Sequence, residues 1–143
     1  MNNNLQKNQQ SGSMHVTKKV DYGLLLLSEL ANAGNPLSID KIAKQNNLSF
    51  LFLQRIASDL KKAKIISSTR GKFGGYVLSK KPSEITIKEV IESLDGAISI
   101  APCLSRNKGT CQCNKSCKIK QGLNKINEII KQSFMQKTLN EII

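Results

Sequence analysis

The stretch SIDKIAKQNNLSFLFLQRIASDLKKAKIISSTRGKFGGYVLS, Ser38 to Ser79, decides the fold. Ser38 suits an N-cap, because its hydroxyl can accept from one of the orphan amides that open a helix. Ile39, Ile42 and Ala43 then fall at the i, i+3, i+4 spacing of a single buried face. Asn46-Asn47 ends that helix, since asparagine tolerates the left-handed backbone of a tight turn. Leu48 plugs the elbow, and Ser49 caps a second helix whose Leu53, Ile56, Ala57 and Leu60 line one side. Phe50, Gln54, Arg55, Ser58 and Lys61 are left nearer the outside. Ile65-Ile66 and Tyr76-Val77-Leu78 are short β-prone runs. Between them lies the loop Arg70-Gly71-Lys72-Phe73-Gly74-Gly75, whose adjacent glycines permit backbone angles that other residues resist. Helix, sharp turn, helix and basic-tipped hairpin make a winged helix-turn-helix, a shape whose default use is holding DNA.

Outward from that stretch, the chain is mainly α with this small β-wing. Lys18 to Asn32 reads as a first helix with a wide apolar face, Val20, Leu24, Leu27 and Ala31 flanked by Tyr22, Leu26 and Leu30. Asp21 near its start suits the positive end of the helix dipole. Gly34-Asn35-Pro36 breaks the chain before the central stretch. After the hairpin, Thr86 caps a helix that carries Ile87, Val90, Ile91 and Leu94 and stops at Asp95-Gly96. Lys118 to about Lys137 forms a long last helix. Ile119, Leu123, Ile126, Ile130 and Phe134 make a continuous apolar seam along it, for which a second copy of the chain is the cheapest cover. The expected organisation is a disordered polar leader at 1–13, with the winged helix-turn-helix domain at 14–97. A cysteine-rich loop follows at 98–117, and a dimerisation helix with its tail at 118–143.

Composition narrows the class of function. The 143 residues suffice for one core and an appendage. Lys and Arg number 22 against 10 acidic residues, a formal charge of +12 that fits a polyanionic partner. Residues 54–81 alone carry eight basic side chains and one acidic, Asp59. A second basic run covers 103–131, with seven against one, so the charge is not confined to the hairpin domain. The longest leucine run, Leu24 to Leu27, is far short of the roughly 20 apolar residues of a membrane span. Four cysteines without a secretory signal point to a reducing, cytoplasmic setting in which metal or redox chemistry outranks a structural disulfide. His15, the single histidine, reads as a surface side chain. No Cys–His pair, carboxylate motif or phosphate loop supports an enzyme.

The cysteines are spaced Cys103, seven residues, Cys111, one, Cys113, three, Cys117. Four thiolates within so short a span suit a soft metal centre. Lys108, Lys115 and Lys118 nearby favour the thiolate form. Structural zinc prefers C-x2–4-C pairs, so the C-x-C fits it less well. Spacing by itself leaves zinc, an iron–sulfur cluster and a thiol switch all open.

The segments VTKKVDYGLLLLSELA, LSIDKIAKQNNLSFLFLQRIASDLKKAKIISSTRGKFGGYVLSKKPSEITIKEVIESLDG, the cysteines and the long last helix together resemble the winged-helix regulators typified by IscR and NsrR. The likeness runs from about Met14 to the end. Its most specific parts are the RGxxGGY wing, the EITIKEVIESLDG helix and the cysteine segment. The C-x-C variant with the closing TLNEII resembles the branch associated with regulation of SUF iron–sulfur assembly.

The resemblance implies a homodimer on a double-stranded DNA operator, the second helix of the motif in the major groove and the wing in the adjacent minor groove. By position, Ser49, Gln54 and Arg55 would face bases or phosphates. Arg70, Lys72, Gly74, Gly75 and Tyr76 would form the wing contact. The chemistry agrees: Gln pairs two edges of adenine, Arg two acceptors of guanine, and Arg favours narrow minor grooves. Phe50 and Leu51 depart from the small polar residues expected at a DNA-facing helix start.

The resemblance also implies an iron–sulfur cluster on Cys103, Cys111 and Cys117, of the 2Fe-2S type before 4Fe-4S, and ahead of zinc. Where some relatives carry histidine three residues after the last cysteine, this chain has Lys120, a poor ligand while protonated. The fourth ligand is then Asp21 of the partner subunit, as in a nitric-oxide-sensing relative, or the local Cys113. Rival readings keep the DNA-binding fold but replace the cluster by zinc or a thiol switch, or make the winged helix a protein-interaction module.

Overall fold

The computed structural model describes residues 16–105 and 117–143, so the expectations for 1–13, His15, Cys111 and Cys113 lie outside the described residues. The described residues form five α-helices and a two-stranded antiparallel wing: α1 (Lys18–Ala33), α2 (Ile39–Gln45), α3 (Phe50–Lys62), β1 (Ile66–Thr69), β2 (Gly75–Leu78), α4 (Ile87–Asp95) and α5 (Lys120–Gln136).

Local signals place the helix ends. Thr17, Ser38, Ser49 and Thr86 each accept an amide bond at the start of α1, α2, α3 and α4. Gly34 and Gly96, at φ 64° and 85°, stop α1 and α4 in conformations that glycine adopts without a Cβ penalty. Asn47, at φ 53°, makes the turn between α2 and α3, and Leu48 packs half-buried against the core.

The core lies where α1, α3 and α4 cross. Leu26, Leu27, Ile42, Leu53, Ile56 and Leu60 are fully enclosed there. Gly23 permits the α1–α4 crossing, since a Cβ on it would collide with the Leu94 side chain. Lys19 ties the same elements together, bonding the Leu94 carbonyl and pairing with Asp59 of α3 at 2.8 Å.

Two expectations about the wing need correction. The first strand is not Ile65-Ile66: it begins at Ile66 and runs through Ser67, Ser68 and Thr69. Ile65 instead belongs to the end of α3. Its amide bonds the Leu60 carbonyl at 3.0 Å, and the Lys64 amide bonds Lys61 at 3.0 Å. These are the two bonds of a Schellman cap, which rewards an apolar residue at the position of Ile65.

The two-stranded hairpin itself is as expected, and one isolated bridge ties it to the segment before α2. Leu37, just before α2, exchanges amide–carbonyl bonds of 3.0 and 2.7 Å with Tyr76. Secondly, Gly74 and Gly75 do not supply left-handed angles; Gly71, at φ 113°, does. The two adjacent glycines are needed for space. A Cβ on Gly74 would strike the Thr69 carbonyl, and one on Gly75 would lie 2.5 Å from the Leu37 carbonyl oxygen.

The Schellman cap puts Lys64 at φ 60°, where glycine is the usual residue. A left-handed non-glycine residue costs about 1 kcal/mol. Lys64→Gly is therefore expected to raise stability by no more than about 0.5 kcal/mol, because glycine's extra freedom in the unfolded chain takes back roughly 0.5–1 kcal/mol. Urea unfolding of the two proteins checks this.

The C-terminal region divides its apolar residues between two faces. α5 starts two residues later than expected, and the described residues of one chain cover only part of its apolar seam. Leu123, Ile130 and Phe134 are half-buried, whereas Ile119 and Ile126 are exposed together with Ile129. Steps of four, three, four and four residues leave the two isoleucines at one edge of the stripe, beyond reach of α4.

Beyond α5 the chain turns back. The Ile87 amide bonds the Lys137 carbonyl at 2.9 Å, and the Leu139 amide bonds the Ile85 carbonyl at 2.8 Å. Leu139 is thereby delivered into the core, with no exposed surface.

Candidate nucleic-acid interface and thiol site

α3 and the wing enclose a solvent-open hollow of about 390 Å³ lined by Gln54, Arg55, Ser58, Lys61 and Tyr76. Three of these were expected from sequence as DNA contacts: Gln54, Arg55 and Tyr76. Ser58 and Lys61 were read only as outward-facing. Their spacing from Gln54, i+4 and i+7, is the signal that placed them on the same face.

Two links fix the wing to α3 and to itself. Lys61 Nζ donates to Ser68 Oγ of β1 at 2.6 Å. Thr69 Oγ1 accepts from the Gly75 amide at 3.2 Å and so closes the mouth of the hairpin. Ser49, Arg70, Lys72 and Phe73 are exposed and lie outside the hollow's lining, Ser49 at the head of α3 and the others at the hairpin tip. Lys72 Nζ stands 5.8 Å from the centroid of the Phe73 ring.

α3 carries Arg55, Lys61 and Lys62 against one carboxylate, which lies outside the hollow's lining and is already engaged by lysines. Asp59 is paired with Lys19 at 2.8 Å and with Lys62 at 3.6 Å. The hydrogen bond from Lys19, reinforced by the charges of Lys19 and Lys62, outweighs partial burial and holds Asp59 below the ordinary carboxylate range. It therefore stays ionised against those two lysines, while Arg55 and Lys61 face the hollow. Phe52 turns inward to meet Tyr22 of α1 edge to face, with centroids 5.8 Å apart. Phe50 and Leu51, 42% and 65% exposed, remain outside.

The thiol segment is bracketed by two described cysteines. Cys103 lies in the short 3-10 turn Pro102–Leu104 and Cys117 precedes α5; both are half-buried and neither is in a disulfide. Asp21 is exposed in the first turn of α1. Among the described residues no three His, Cys, Asp or Glu side chains converge as a metal site, so Asp21, Cys103 and Cys117 are not assembled within one chain.

Sequence reading missed the residue that fixes the approach to Cys103. Asn127 of α5 is 1% exposed. Its Oδ1 accepts from the Ile100 amide at 3.0 Å and its Nδ2 donates to the Ile98 carbonyl at 3.4 Å. These bonds satisfy a buried amide and anchor the chain just before the cysteine turn.

The chain resembles known proteins over nearly its whole length. Residues 16–143 match the Rrf2 family, described as iron-dependent transcriptional regulators. A putative rrf2-like regulator of Rhodobacter capsulatus is 36% identical over 115 residues, 74% of this chain and 77% of that protein. The regulator NsrR of Shouchella clausii is 30% identical over 132 residues, 91% of this chain and 89% of that one. Among solved structures, CymR of Bacillus subtilis, described as its global cysteine regulator, superposes with a TM-score of 0.72 at 30% identity, covering 91% of this chain and 96% of that one. No described helix is long and apolar enough to cross a membrane. The helix-turn-helix, the wing and the closing helix all fall within the matched span, and the chain belongs to the Rrf2 family of DNA-binding transcriptional regulators, not to the enzymes.

Proposed function

We propose that this regulator is a cytoplasmic homodimer that binds a two-fold-related operator and whose affinity is set by an iron–sulfur cluster. In this reading α3 enters the major groove through Ser49, Gln54 and Arg55. Arg70, Lys72, Gly74, Gly75 and Tyr76 bring the wing to the neighbouring minor groove. The observation that carries the DNA-facing part is the hollow in which Gln54, Arg55, Lys61 and Tyr76 converge between α3 and the wing. Residues 118–143 serve as the dimerisation element. The exposed isoleucines Ile119, Ile126 and Ile129 supply the apolar strip that a second α5 would cover.

The cluster would be held by Cys103, Cys111 and Cys117, with Asp21 of the partner subunit, or Cys113 of the same chain, completing the set. The donor chemistry fits: Cys103 and Cys117 are free thiols at the two ends of the segment. The family's description as iron-dependent supports iron over zinc. When bound, such a group supplies a redox-sensitive cross-link between the wing domain and α5. Asn127 would hold the chain leading to that cross-link, so a change there alters the separation of the two reading heads. Operator half-sites about 34 Å apart demand a fixed separation. Regulation of iron–sulfur assembly genes, as in the SUF branch, is the role this reading favours.

A second reading rests on the similarity to CymR. Cysteine-responsive control through the same thiols, without a cluster, needs only that two of the four cysteines change state. Anaerobic purification followed by absorption spectra and iron, sulfide and zinc analysis separates the two. Brown protein with visible bands and matched iron and sulfide is the expected result. Colourless protein that stays metal-free after anaerobic reconstitution would move the assignment to thiol control, and one zinc per chain to a structural metal.

A further inference from the structure

The first turn of α3 carries two adjacent large apolar side chains that the described residues leave exposed. Leu51 is 65% exposed and Phe50 42%. Leu51 is not on a random part of the surface. Gln54, Arg55 and Ser58 follow it at i+3, i+4 and i+7, so it heads the same helical face that lines the hollow beside the wing. The inner face of α3 is fully supplied without it, by Leu53, Ile56, Ala57 and Leu60, all at 0% exposure. Phe50 flanks that strip one turn below Gln54. An apolar knob thus stands at the end of a polar, cationic face, at the start of residues 50–81, which carry eight basic residues against one acidic. The charge selects a polyanion as the occupant of the face, and the knob needs an apolar feature on that polyanion.

In the major groove of B-DNA only thymine offers one, its C5 methyl group. Helix-turn-helix proteins present the N-terminal residues of the second helix to base edges. We propose that Leu51, flanked by Phe50, is a specificity-determining residue that packs on thymine methyls of the operator. The inference rests on the reading that α3 enters the major groove, and deepens it. Leu51 also works by exclusion. Cytosine or guanine at the same position would turn a hydrogen-bonding edge onto a side chain with no donor or acceptor, leaving that edge unsatisfied. Specificity then comes from an apolar contact beside the polar contacts of Gln54 and Arg55.

The test uses the full-length protein, and duplexes selected by it from a random-sequence library. Each thymine of the selected duplex is replaced in turn by deoxyuridine, which removes the methyl and keeps every hydrogen-bonding group. The wild type is expected to bind about fourfold more weakly at one or two such positions per half-site, the effect of uncovering one buried methyl. Leu51→Ser is expected to abolish that sensitivity and to accept other bases there; its exposed position leaves the core untouched, which a thermal melt verifies.

A selected consensus with no uracil-sensitive position, or sensitivity that persists in both Leu51→Ser and Phe50→Ser, overturns the inference and leaves DNA binding standing. Leu51→Ser that keeps its base preference but loses self-association overturns it in favour of a protein contact. Failure to select any duplex overturns the DNA-facing reading of α3 and this inference with it.

Discussion

Replacing Leu139 with alanine is expected to destabilise the protein by about 2–5 kcal/mol, the cost of emptying a fully buried leucine site. The residue is only four positions before Ile143, yet it has no exposed surface. Two backbone bonds seat it, Ile87 N to Lys137 O at 2.9 Å and Leu139 N to Ile85 O at 2.8 Å, so the last strand-like step of the chain pairs with the segment leading into α4. A short turn, Leu139–Glu141, locks the placement. Glu141 Oε2 accepts from the Thr138 amide at 2.8 Å, and Lys137 pairs with Glu141 at 2.8 Å. The side chains around Leu139 belong to a core that α1, α3 and α4 have already shaped, and they cannot collapse onto the vacancy. A drop in Tm on the order of 10 °C follows for a chain of this size. Ile143→Ala, at a site 43% exposed, is the control and is expected to change stability by no more than about 0.5 kcal/mol. Urea unfolding followed by far-UV circular dichroism measures both. A Leu139→Ala change below about 1 kcal/mol would show that the tail is not seated in solution.

Leu139 also illustrates what the sequence could and could not disclose. The helix starts were legible because each is written locally: Ser38, Ser49 and Thr86 precede an apolar period, and the cap bonds form within three residues. The helix-turn-helix followed directly from those starts. Contacts made by one residue across a long sequence gap carry no such signature. Leu139 is a lone leucine after a polar run, and Leu37 a lone leucine after Gly34-Asn35-Pro36. No periodicity says that the first enters the core beside Ile85 or that the second pairs with Tyr76. Asn127 was hidden for a related reason. An asparagine inside an apolar seam reads as a surface gap, until the amide of Ile100 is found waiting for it. Lys64 broke a local rule outright, since the left-handed position usually marked by glycine is filled by lysine.

The candidate site divides along the same line. Gln54 and Arg55 lie on one helical face by period alone, and the hollow joins them to Tyr76 of the wing. Their convergence depends on the wing lying against α3, which Lys61 and Ser68 arrange across a gap of seven residues. The cysteines show the opposite limit. Their spacing names a donor set of four thiols, but a ligand proposed from another part of the molecule, such as Asp21, leaves no trace in spacing. It entered only through resemblance to a family.

Gly75→Ala is expected to weaken operator binding by ten- to a hundredfold while leaving the helices intact. The new Cβ would lie 2.5, 2.6 and 2.9 Å from the oxygen, carbon and nitrogen of Leu37, all backbone atoms that no rotamer change can move aside. Relief requires the 75–76 segment and Leu37 to part, and with them the bonds that Leu37 and Tyr76 exchange at 3.0 and 2.7 Å. Tyr76 then leaves the wall of the hollow, and the tip carrying Arg70 and Lys72 is no longer held at a fixed angle to α3. The core feels little, because Gly75 belongs to the wing and the buried face of α3 is untouched, so the far-UV spectrum should be preserved.

The loss has a recognisable electrostatic mark. If each subunit of the dimer neutralises about four phosphates, the log–log slope of affinity against salt is near −7. Losing Arg70 and Lys72 from both wings would bring it to about −3.5. The Arg70→Ala/Lys72→Ala double variant should reproduce that slope without the steric lesion. Gly71→Ala separates geometry from space: its φ of 113° is strained for alanine, but nothing lies within 4 Å of the added carbon. It should therefore cost far less affinity than Gly75→Ala. Equal affinity for the Gly75→Ala and wild-type proteins would mean that the wing does not touch the operator.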